Sequence, residues 1–387
     1  MYNGNNPHVC HISVEGCDRM KARDFLLERY FAKYEFSVRH LLSPSDCEAL
    51  TAEDLISGAD PEVAALWKGL RLSYTESRGH PLLLREIARL TGVSPGEAIA
   101  VNPEEGIFLA LNALLDRDDH VIVLSPCYQS LYEIPRSLGC EVTRWYLRKG
   151  NGKWHLDLPV LEEILKENTR LLIINFPHNP TGFLPAREEL DAVIEAASRK
   201  GVFVFSDEMY RGLEHDPERR LPSVPTLYRK SAALGGLSKA YGLPGLRLGW
   251  VTSRDEWLLE RIATLKDYTT ICASAPSEIL GIAALRRDGE LAERCRSIVT
   301  GNLDRARAFF TERAGRFEWL EPEGGSTAFP RLLGNQGIKA FCEQAVARRS
   351  LMILPDTVFD VEWNHFRVGM GRVDFPEALE VLGDLLG

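Results

Sequence analysis

The chain has 387 residues, enough for two substantial domains, because a single hydrophobic core rarely grows beyond about 250 to 300 residues. Its 45% hydrophobic and 26% charged residues are typical of a globular protein and exclude a disordered or fibrous one. The formal net charge of -9 argues against the basic face that nucleic-acid binding needs, and the lack of any run of roughly 18 apolar residues argues against a membrane span.

The first stretch of the chain, 1–19, is predicted to be a tail ahead of the folded body. It lacks the basic and apolar regions of a secretory signal, and the eight cysteines of the chain show no paired spacing of the zinc-site kind. Four potential metal ligands lie close together in it: His8, Cys10, His11 and Cys17. We favour the tail over a metal site, predict no bound metal, and expect a cytoplasmic protein with reduced thiols.

Apolar runs bounded by turn residues predict seven strands, with amphipathic helical segments between them. The strands are predicted at 98–101, 120–126, 141–147, 170–177, 201–208, 231–238 and 247–253. The helices are predicted at about 105–116, 129–138, 158–167 and 185–200. Strands rich in Val, Ile and Leu without alternation occur where helices cover both faces of a sheet. The pattern therefore predicts an α/β fold with a mostly parallel seven-stranded sheet.

The pattern changes after residue 253 to long charged helical segments, predicted at 255–285 and 290–313. Short strands near 326–332 and 365–370, with helices near 338–349 and 376–386, predict a smaller α+β domain. The predicted division is an N-terminal tail, helix and arm at 1–45, a large domain at 46–255, and a linking helix with the small C-terminal domain at 256–387.

The most informative segment is 235–249, which reads Gly-Gly-Leu-Ser-Lys-Ala-Tyr-Gly-Leu-Pro-Gly-Leu-Arg-Leu-Gly. It places Ser238 and Lys239 in a glycine-rich turn directly after a predicted strand. A lysine in a ligand cleft near a fixed cation has a lowered pKa and becomes nucleophilic toward carbonyls. Arg247 is a candidate for that cation, and its guanidinium also suits a phosphate. Taken alone, a lysine and an arginine in this pattern are better explained by a surface loop.

Two further motifs follow the two preceding predicted strands: Asn179-Pro-Thr-Gly182 and Ser206-Asp-Glu-Met-Tyr210. Open α/β sheets bind ligands at the carboxyl ends of their strands, so three motifs at successive strand ends predict one site. With the segment around Lys239, they make the chain from Leu72 to its C-terminus resemble the class I and II aminotransferases, which are fold type I enzymes dependent on pyridoxal phosphate.

The resemblance implies that residues 46–255 bind pyridoxal phosphate and that Lys239 carries it as a Schiff base. Asp207 is implied to pair with the pyridine nitrogen and keep it protonated, with helix capping as the alternative. Asn179 and Tyr210 are implied donors to the phenolic oxygen of the ring, although Asn-Pro-Thr-Gly is also an ordinary turn signal. The implied phosphate ligands are Ser238, Arg247 and helix amides.

The resemblance assigns roles to three more residues. Tyr128 matches the aromatic residue that stacks on the cofactor ring. Tyr74 matches a tyrosine that reaches the phosphate in the neighbouring subunit, which implies a homodimer with a shared active site. Arg367, in Phe366-Arg-Val-Gly-Met370, matches the arginine that grips the substrate α-carboxylate, with Asn179 beside it. The alternatives are packing roles for the two tyrosines and a surface salt bridge for Arg367.

Three stretches depart from the family pattern. Pro103 stands in the phosphate loop and has no N–H to donate, so the contact is expected to shift to Glu104 or Glu105, whose carboxylates should turn outward from a dianion. Gly236 stands where the family usually has a phosphate-binding Ser or Thr. In the stretch 36–47, Ser43, Ser45 or Asp46 are candidates for substrate contact, but we favour loop capping by these residues.

The function that the resemblance implies is transamination between an amino acid and a 2-oxo acid, with Lys239 as anchor and as general acid and base. The same cofactor supports elimination, racemisation, cyclisation or oxidation, because it does not dictate which bond at Cα breaks. A ligand-sensing domain is the non-enzymatic alternative. It is disfavoured because no helix-turn-helix pattern precedes Leu72.

Overall fold

The computed structural model describes residues 21–386, so the predicted tail with His8, Cys10, His11 and Cys17 lies outside the described residues. The α-helices within them are α1 (Leu26–Tyr34), α2 (Ala52–Ser57), α3 (Pro61–Lys68), α4 (Pro81–Thr91), α5 (Pro103–Leu114), α6 (Ser130–Leu138), α7 (Leu158–Ile164), α8 (Arg187–Lys200), α9 (Glu256–Lys266), α10 (Ala275–Arg286), α11 (Asp288–Glu312), α12 (Ile338–Arg349) and α13 (Phe375–Leu386).

The strands are β1 (His40–Leu41), β2 (Ala98–Val101), β3 (His120–Ser125), β4 (Glu141–Tyr146), β5 (Arg148–Gly150), β6 (Lys153–His155), β7 (Thr169–Asn175), β8 (Phe203–Asp207), β9 (Ser231–Gly236), β10 (Gly249–Ser253), β11 (Phe317–Glu318), β12 (Thr327–Ala328), β13 (Arg331–Leu332), β14 (Leu351–Met352), β15 (Leu354–Pro355) and β16 (Phe366–Gly369). None of the helices between residues 21 and 386 has the length and hydropathy needed to cross a membrane.

The central sheet has seven strands in the order β2-β10-β9-β8-β7-β3-β4. All its pairs are parallel except those of β10, which runs antiparallel to both β2 and β9. These are the seven strands that the sequence predicts, so the α/β fold with a mostly parallel sheet is confirmed.

Both faces of this sheet are buried, and strand β7 shows how. Leu171 and Ile173 belong to one apolar cluster, whereas Leu172 and Ile174 belong to another. Successive side chains of a strand point to opposite faces, so the two clusters are the cores on either side of the sheet. An uninterrupted apolar run is required for this, which explains why β7 lacks polar alternation.

The predicted crossover helices are confirmed as α5 to α8, with ends shifted by a few residues. Glycine residues determine where two of these helices end. Gly139 after α6 and Gly201 after α8 adopt left-handed backbone angles, with φ of 91° and 66°. Only glycine takes this conformation without strain, so each glycine ends its helix and turns the chain into the next strand.

Two elements predicted as continuous in the C-terminal third are each divided into two in the structure. The segment 255–285 forms two helices, α9 and α10, because Ile271 has a φ of 66° and Pro276 lies in the first turn of α10. The strand predicted at 326–332 forms β12 and β13, with Pro330 between them, because proline has no N–H to donate to a ladder. The division into domains at residue 255 stays a prediction.

The N-terminal segment packs against C-terminal residues. Strand β1 pairs in parallel with β14, and Tyr30 on α1 donates from its hydroxyl to the Ile353 carbonyl at 2.8 Å. Residues far apart in the chain are thereby joined, and α1 lies beside the carboxyl ends of the central strands.

Candidate active site

A cavity of about 410 Å³ opens at the carboxyl ends of the central strands. Strands β7, β8 and β9 run parallel, so the loops that follow them meet at one edge of the sheet. Nine of the eleven predicted site residues line the cavity: Glu104, Tyr128, Asn179, Asp207, Tyr210, Ser238, Lys239, Arg247 and Arg367. The three sequence motifs therefore share one site.

The other two predicted residues lie elsewhere. Glu105 accepts a hydrogen bond from the Asn102 amide at 3.3 Å and another from the Thr270 hydroxyl at 2.8 Å, away from the cavity lining. Tyr74 is 84% exposed on the single chain. Any contact of Tyr74 with a cofactor therefore requires another subunit.

Lys239 points into the cavity. Its Nζ donates to Ser45 Oγ at 2.9 Å and lies 6.0 Å from the centroid of the Tyr210 ring. Ser45 is buried and, with Asp46, lines the same cavity. None of these residues caps the next helix, because the cap of α2 is Thr51, so the N-cap part of the favoured role is wrong. The stretch supplies a hydrogen-bond acceptor for the lysine instead.

Asp207 ends strand β8 and faces the cavity from a buried position. Burial raises the pKa of its carboxyl to about 7, although the Met209 N–H donates to Oδ1 at 3.0 Å and opposes the shift. A cationic donor would favour the ionised carboxylate at this position. The environment therefore suits a protonated ring nitrogen, as the family resemblance implies.

Two hydroxyls in the cavity wall are buried without a hydrogen-bond partner among residues 21–386. They are Tyr210 Oη and Ser238 Oγ. Buried polar groups are rarely left unpaired, so these two are free to donate to a ligand. With Asp207, Lys239 and Arg247, they fit a ring bearing a basic nitrogen, a phenolic oxygen, an aldehyde and a phosphate. The residues present therefore fit pyridoxal phosphate.

Arg247, in the loop before strand β10, lies beside the N-terminus of helix α5. Its Nη1 donates to the Pro244 carbonyl at 2.8 Å and its Nη2 to Asn102 Oδ1 at 3.1 Å. Pro103 is the first residue of α5, and the helix N-terminus faces the arginine across Asn102. A guanidinium beside a helix N-terminus suits an anion.

Glu104 does not turn outward as expected, because its carboxyl group lines the cavity and accepts from Ser130 Oγ. Burial raises the pKa of Glu104, which favours the neutral carboxyl. A shift toward the neutral form lessens the repulsion that a phosphate would meet here. Glu104 therefore stays in the cavity, and it is burial rather than an outward orientation that lessens the expected conflict.

Packing against Met209 explains why position 236 is a glycine. A Cβ at this position would lie 3.0 Å from Met209 Cε and 3.1 Å from its sulfur atom. Met209 itself lines the cavity. The methionine therefore fills the space that a Ser or Thr side chain needs, and the phosphate ligand expected from the family pattern is absent at this position.

Arg367 is only 2% exposed and is held on two sides. Its Nη1 donates to Asn179 Oδ1 at 3.2 Å and its Nε to the Ser43 carbonyl at 3.1 Å. The surface salt bridge considered as an alternative is wrong. A buried guanidinium with free N–H groups in a cavity suits a carboxylate.

Asn175 connects these groups and was not predicted. Its Oδ1 accepts a hydrogen bond from the backbone N–H of Asn179 at 2.8 Å. Its Nδ2 donates to the backbone carbonyl of Asp207 at 2.8 Å. It therefore fixes the turn that carries Asn179 relative to the end of β8. The signal in the sequence was a lone polar residue at the end of an apolar strand.

Helix α1 supplies a wall of the cavity that sequence reasoning missed. Leu27, Glu28, Phe31 and Glu35 line the cavity, at the helical spacing that places them on one face. The Tyr128 hydroxyl donates to Glu28 Oε1 at 2.9 Å, and its ring lies 5.0 Å from that of Phe25. The sequence shows the helical spacing of these residues, but it does not show that this face of α1 borders the cavity.

Comparisons with known proteins agree with this geometry. The family model of aminotransferases of class I and II matches residues 42–382. Capreomycidine synthase of Streptomyces vinaceus is 28% identical over 372 residues, which cover 94% of this chain and 92% of that protein.

Two solved structures share the whole fold. A PLP-dependent aminotransferase from Streptococcus suis 89-1591 has a TM-score of 0.88 and 32% identity, covering 95% of this chain and 98% of that one. The PLP-dependent cyclase OrfR has a TM-score of 0.86 and 27% identity, covering 96% and 99%. The chain therefore belongs to the class I and II aminotransferase family, and it is a fold type I transaminase that depends on pyridoxal phosphate.

Proposed function

We propose that transamination between an amino acid and a 2-oxo acid takes place in this cavity, with Lys239 as the reacting residue. The observation that carries the proposal is the meeting of Lys239, Asp207 and Arg367 around one cavity. Each suits a different part of the reaction: an amine for a carbonyl, a carboxyl for a ring nitrogen, and a guanidinium for an α-carboxylate.

When bound, pyridoxal phosphate supplies an electron sink for the electrons of the bond that breaks at the substrate Cα. Lys239 would hold the cofactor through Nζ, and the same amine would carry the proton to and from the substrate Cα. Asp207 holds a proton on the ring nitrogen by charge. Ser45, which accepts from Nζ at 2.9 Å, orients the amine.

Six other residues hold the cofactor or the substrate in this proposal. Arg247 and Ser238 bind the phosphate, aided by the first amides of α5, where Glu104 and Glu105 lie. Tyr210 and Asn179 donate to the phenolic oxygen. Tyr128 covers the ring face, and Arg367 binds the α-carboxylate, so that Cα is presented to Lys239.

We also propose a cytoplasmic homodimer whose partner subunit completes the site through Tyr74. Support comes from an exposed apolar surface on two adjoining segments. Leu72 is 86% exposed, Tyr74 84% and Tyr268 88%, and Lys266 Nζ donates to the Ser77 carbonyl between those segments. Exposed apolar clusters of this kind mark protein interfaces.

The test is a panel of amino acids mixed with the holoenzyme, with formation of pyridoxamine phosphate and of the oxo acid as readouts. We expect at least one amino acid to give both, and the reverse half-reaction to return the amine to a second oxo acid. If no member of a full panel produces pyridoxamine phosphate, transamination is the wrong reaction.

Cyclisation is the second candidate, because a PLP-dependent cyclase, OrfR, shares the whole fold. The same panel separates the two. A cyclase returns a product that keeps its nitrogen atoms and leaves the cofactor as pyridoxal phosphate, whereas a transaminase needs a 2-oxo acid to turn over. Mass spectrometry of the product with and without an added oxo acid distinguishes them.

A further inference from the structure

The cavity has more acidic than basic groups. Its lining includes five carboxyl groups and three cationic side chains. The carboxyl groups are those of Glu28, Glu35, Asp46, Glu104 and Asp207, and the cations are Lys239, Arg247 and Arg367. Burial favours the neutral form of Glu104, so this carboxyl adds little to the negative charge, whereas a bound phosphate adds to it. The amino acid that enters must therefore fit an acidic surrounding.

Most of these groups have a partner or a role. Under the proposed function, Lys239, Arg247 and Asp207 bind the cofactor, and Arg367 binds the α-carboxylate of the substrate. Glu104 accepts from Ser130, and Asp46 pairs with Arg372 at 2.9 Å. Glu28 and Glu35 remain, and neither has a cationic partner within 4 Å among residues 21–386.

The two carboxylates lie on the cavity side of α1, with Phe31 between them in sequence. Glu28 is held in place by the Tyr128 hydroxyl, and the Phe31 ring lies 5.8 Å from Arg367 Cζ. The negative charge of Glu28 acts on Arg367, and the positive charges of Arg372 and, more weakly, Lys239 act on Glu35. The α1 wall therefore extends from the group that binds the α-carboxylate to the group that reacts at Cα.

A substrate bound to Arg367 with its Cα near Lys239 thus shares the cavity with a wall made of an apolar ring and two carboxylates that lack an ion-pair partner among residues 21–386. A side chain with an apolar stem and a cationic end matches both features, because the stem packs on the ring and the cation pairs with the carboxylates. An acidic side chain would be repelled by the carboxylates of Glu28 and Glu35.

We propose that the amino donor is an amino acid whose side chain ends in an ammonium or guanidinium group, bound by Glu28 and Glu35. This inference rests on the proposed function, since it needs the α-carboxylate on Arg367. It goes further by assigning the substrate class and the two residues that select it.

L-Arginine and L-citrulline test the proposal, because they have nearly the same shape and differ in side-chain charge. With the holoenzyme, kcat/KM for arginine should exceed that for citrulline by about 10- to 100-fold, as expected for a hydrogen-bonded charge pair. L-Ornithine should also be accepted, and L-glutamate should be the poorest of the four.

Charge-neutral variants locate the effect. Glu28→Gln and Glu35→Gln should each lower kcat/KM for arginine by about 10-fold more than kcat/KM for citrulline. Glu188→Gln is the matched control, because Glu188 is exposed on α8 and does not line the cavity. Thermal unfolding of all three variants checks that each is folded.

Binding gives a readout independent of turnover. Calorimetric titration of the Lys239→Ala variant should show tighter binding of arginine than of citrulline, and the difference should shrink as salt is raised, because Glu28 is exposed and screened.

The outcomes separate the two proposals. Conversion of the cofactor by citrulline or glutamate as readily as by arginine overturns the substrate class and leaves transamination intact. Equal losses for arginine and citrulline in the Glu28 and Glu35 variants overturn the assigned residues. Failure of every amino acid to convert the cofactor overturns transamination, and the substrate inference with it.

Discussion

Arg367 Nη1 donates to Asn179 Oδ1 at 3.2 Å, which joins strand β16 to the turn after β7. The two residues lie 188 positions apart, and each belongs to a motif that the sequence shows separately. Their contact sets the arginine over the carboxyl ends of the central strands. This hydrogen bond joins the substrate-binding arginine to the motif around Asn179, so that both belong to a single substrate site.

Arg367→Lys is expected to raise KM for the amino donor by about 10- to 100-fold, because an ammonium cannot replace a planar fork that binds a carboxylate and Asn179 together. The measurement is half-reaction kinetics over a range of amino-acid concentrations. Arg348→Lys, at an exposed position on α12, is the control and should leave KM unchanged. An unaltered KM in the Arg367 variant would remove this residue from the substrate site.

Lys239→Ala is expected to abolish covalent attachment of the cofactor. It should also lower the transamination rate by about 10²- to 10⁴-fold, because the group that carries the proton at Cα is lost. Mass spectrometry after borohydride reduction measures the attachment, and oxo-acid formation measures the rate. The exposed Lys200→Ala variant should behave as wild type. Normal transamination by the Lys239 variant contradicts the proposed mechanism.

Asp207→Asn should separate stability from cofactor binding. In the folded protein without cofactor, burial raises the pKa of Asp207 to about 7 from its ordinary value of 3.8. Between these values the folded state binds the proton more strongly than the unfolded state, so stability of the wild-type apoprotein falls as pH rises from about 4 to 7.

The variant cannot ionise here, so between pH 5 and pH 8 its free energy of unfolding should gain about 1–3 kcal/mol relative to wild type. Its affinity for pyridoxal phosphate should fall, because the ring nitrogen loses its anionic partner. Urea unfolding of the apoproteins and cofactor titration measure the two effects. Asp384→Asn, exposed on α13, is the control, and a pH-independent difference for Asp207→Asn would contradict the burial argument.

A shared active site predicts complementation between two inactive variants. Lys239→Ala and Tyr74→Ala homodimers should both be impaired. Randomly re-formed mixtures should regain about one quarter of the wild-type site activity, because half the dimers are mixed and each has one site with both native residues. The measurement is the rate of oxo-acid formation before and after the subunits are unfolded together and refolded. Activity no higher than the mean of the parents would contradict a role for Tyr74 across an interface.

The sequence by itself determined the central sheet and most of the site. Strand length, apolar runs and glycine stops depend on near neighbours, so the seven strands and four crossover helices were predictable. Because parallel strands present their carboxyl ends at one edge, Asn179, Asp207 and Lys239 were also predictable as neighbours. The C-terminal third was less so, because one residue of positive φ and one proline divide elements whose composition is continuous.

Tertiary structure alone decided the groups that surround Lys239. Ser45 accepts from Nζ across 194 positions of chain, and the α1 wall with Glu28 and Glu35 is set by packing against C-terminal residues. Glu104 turns inward while its neighbour Glu105 turns away, and Met209 occupies the space beside Gly236. Local patterns show which residues share an element, but side-chain direction and contacts between distant segments depend on how the whole chain packs.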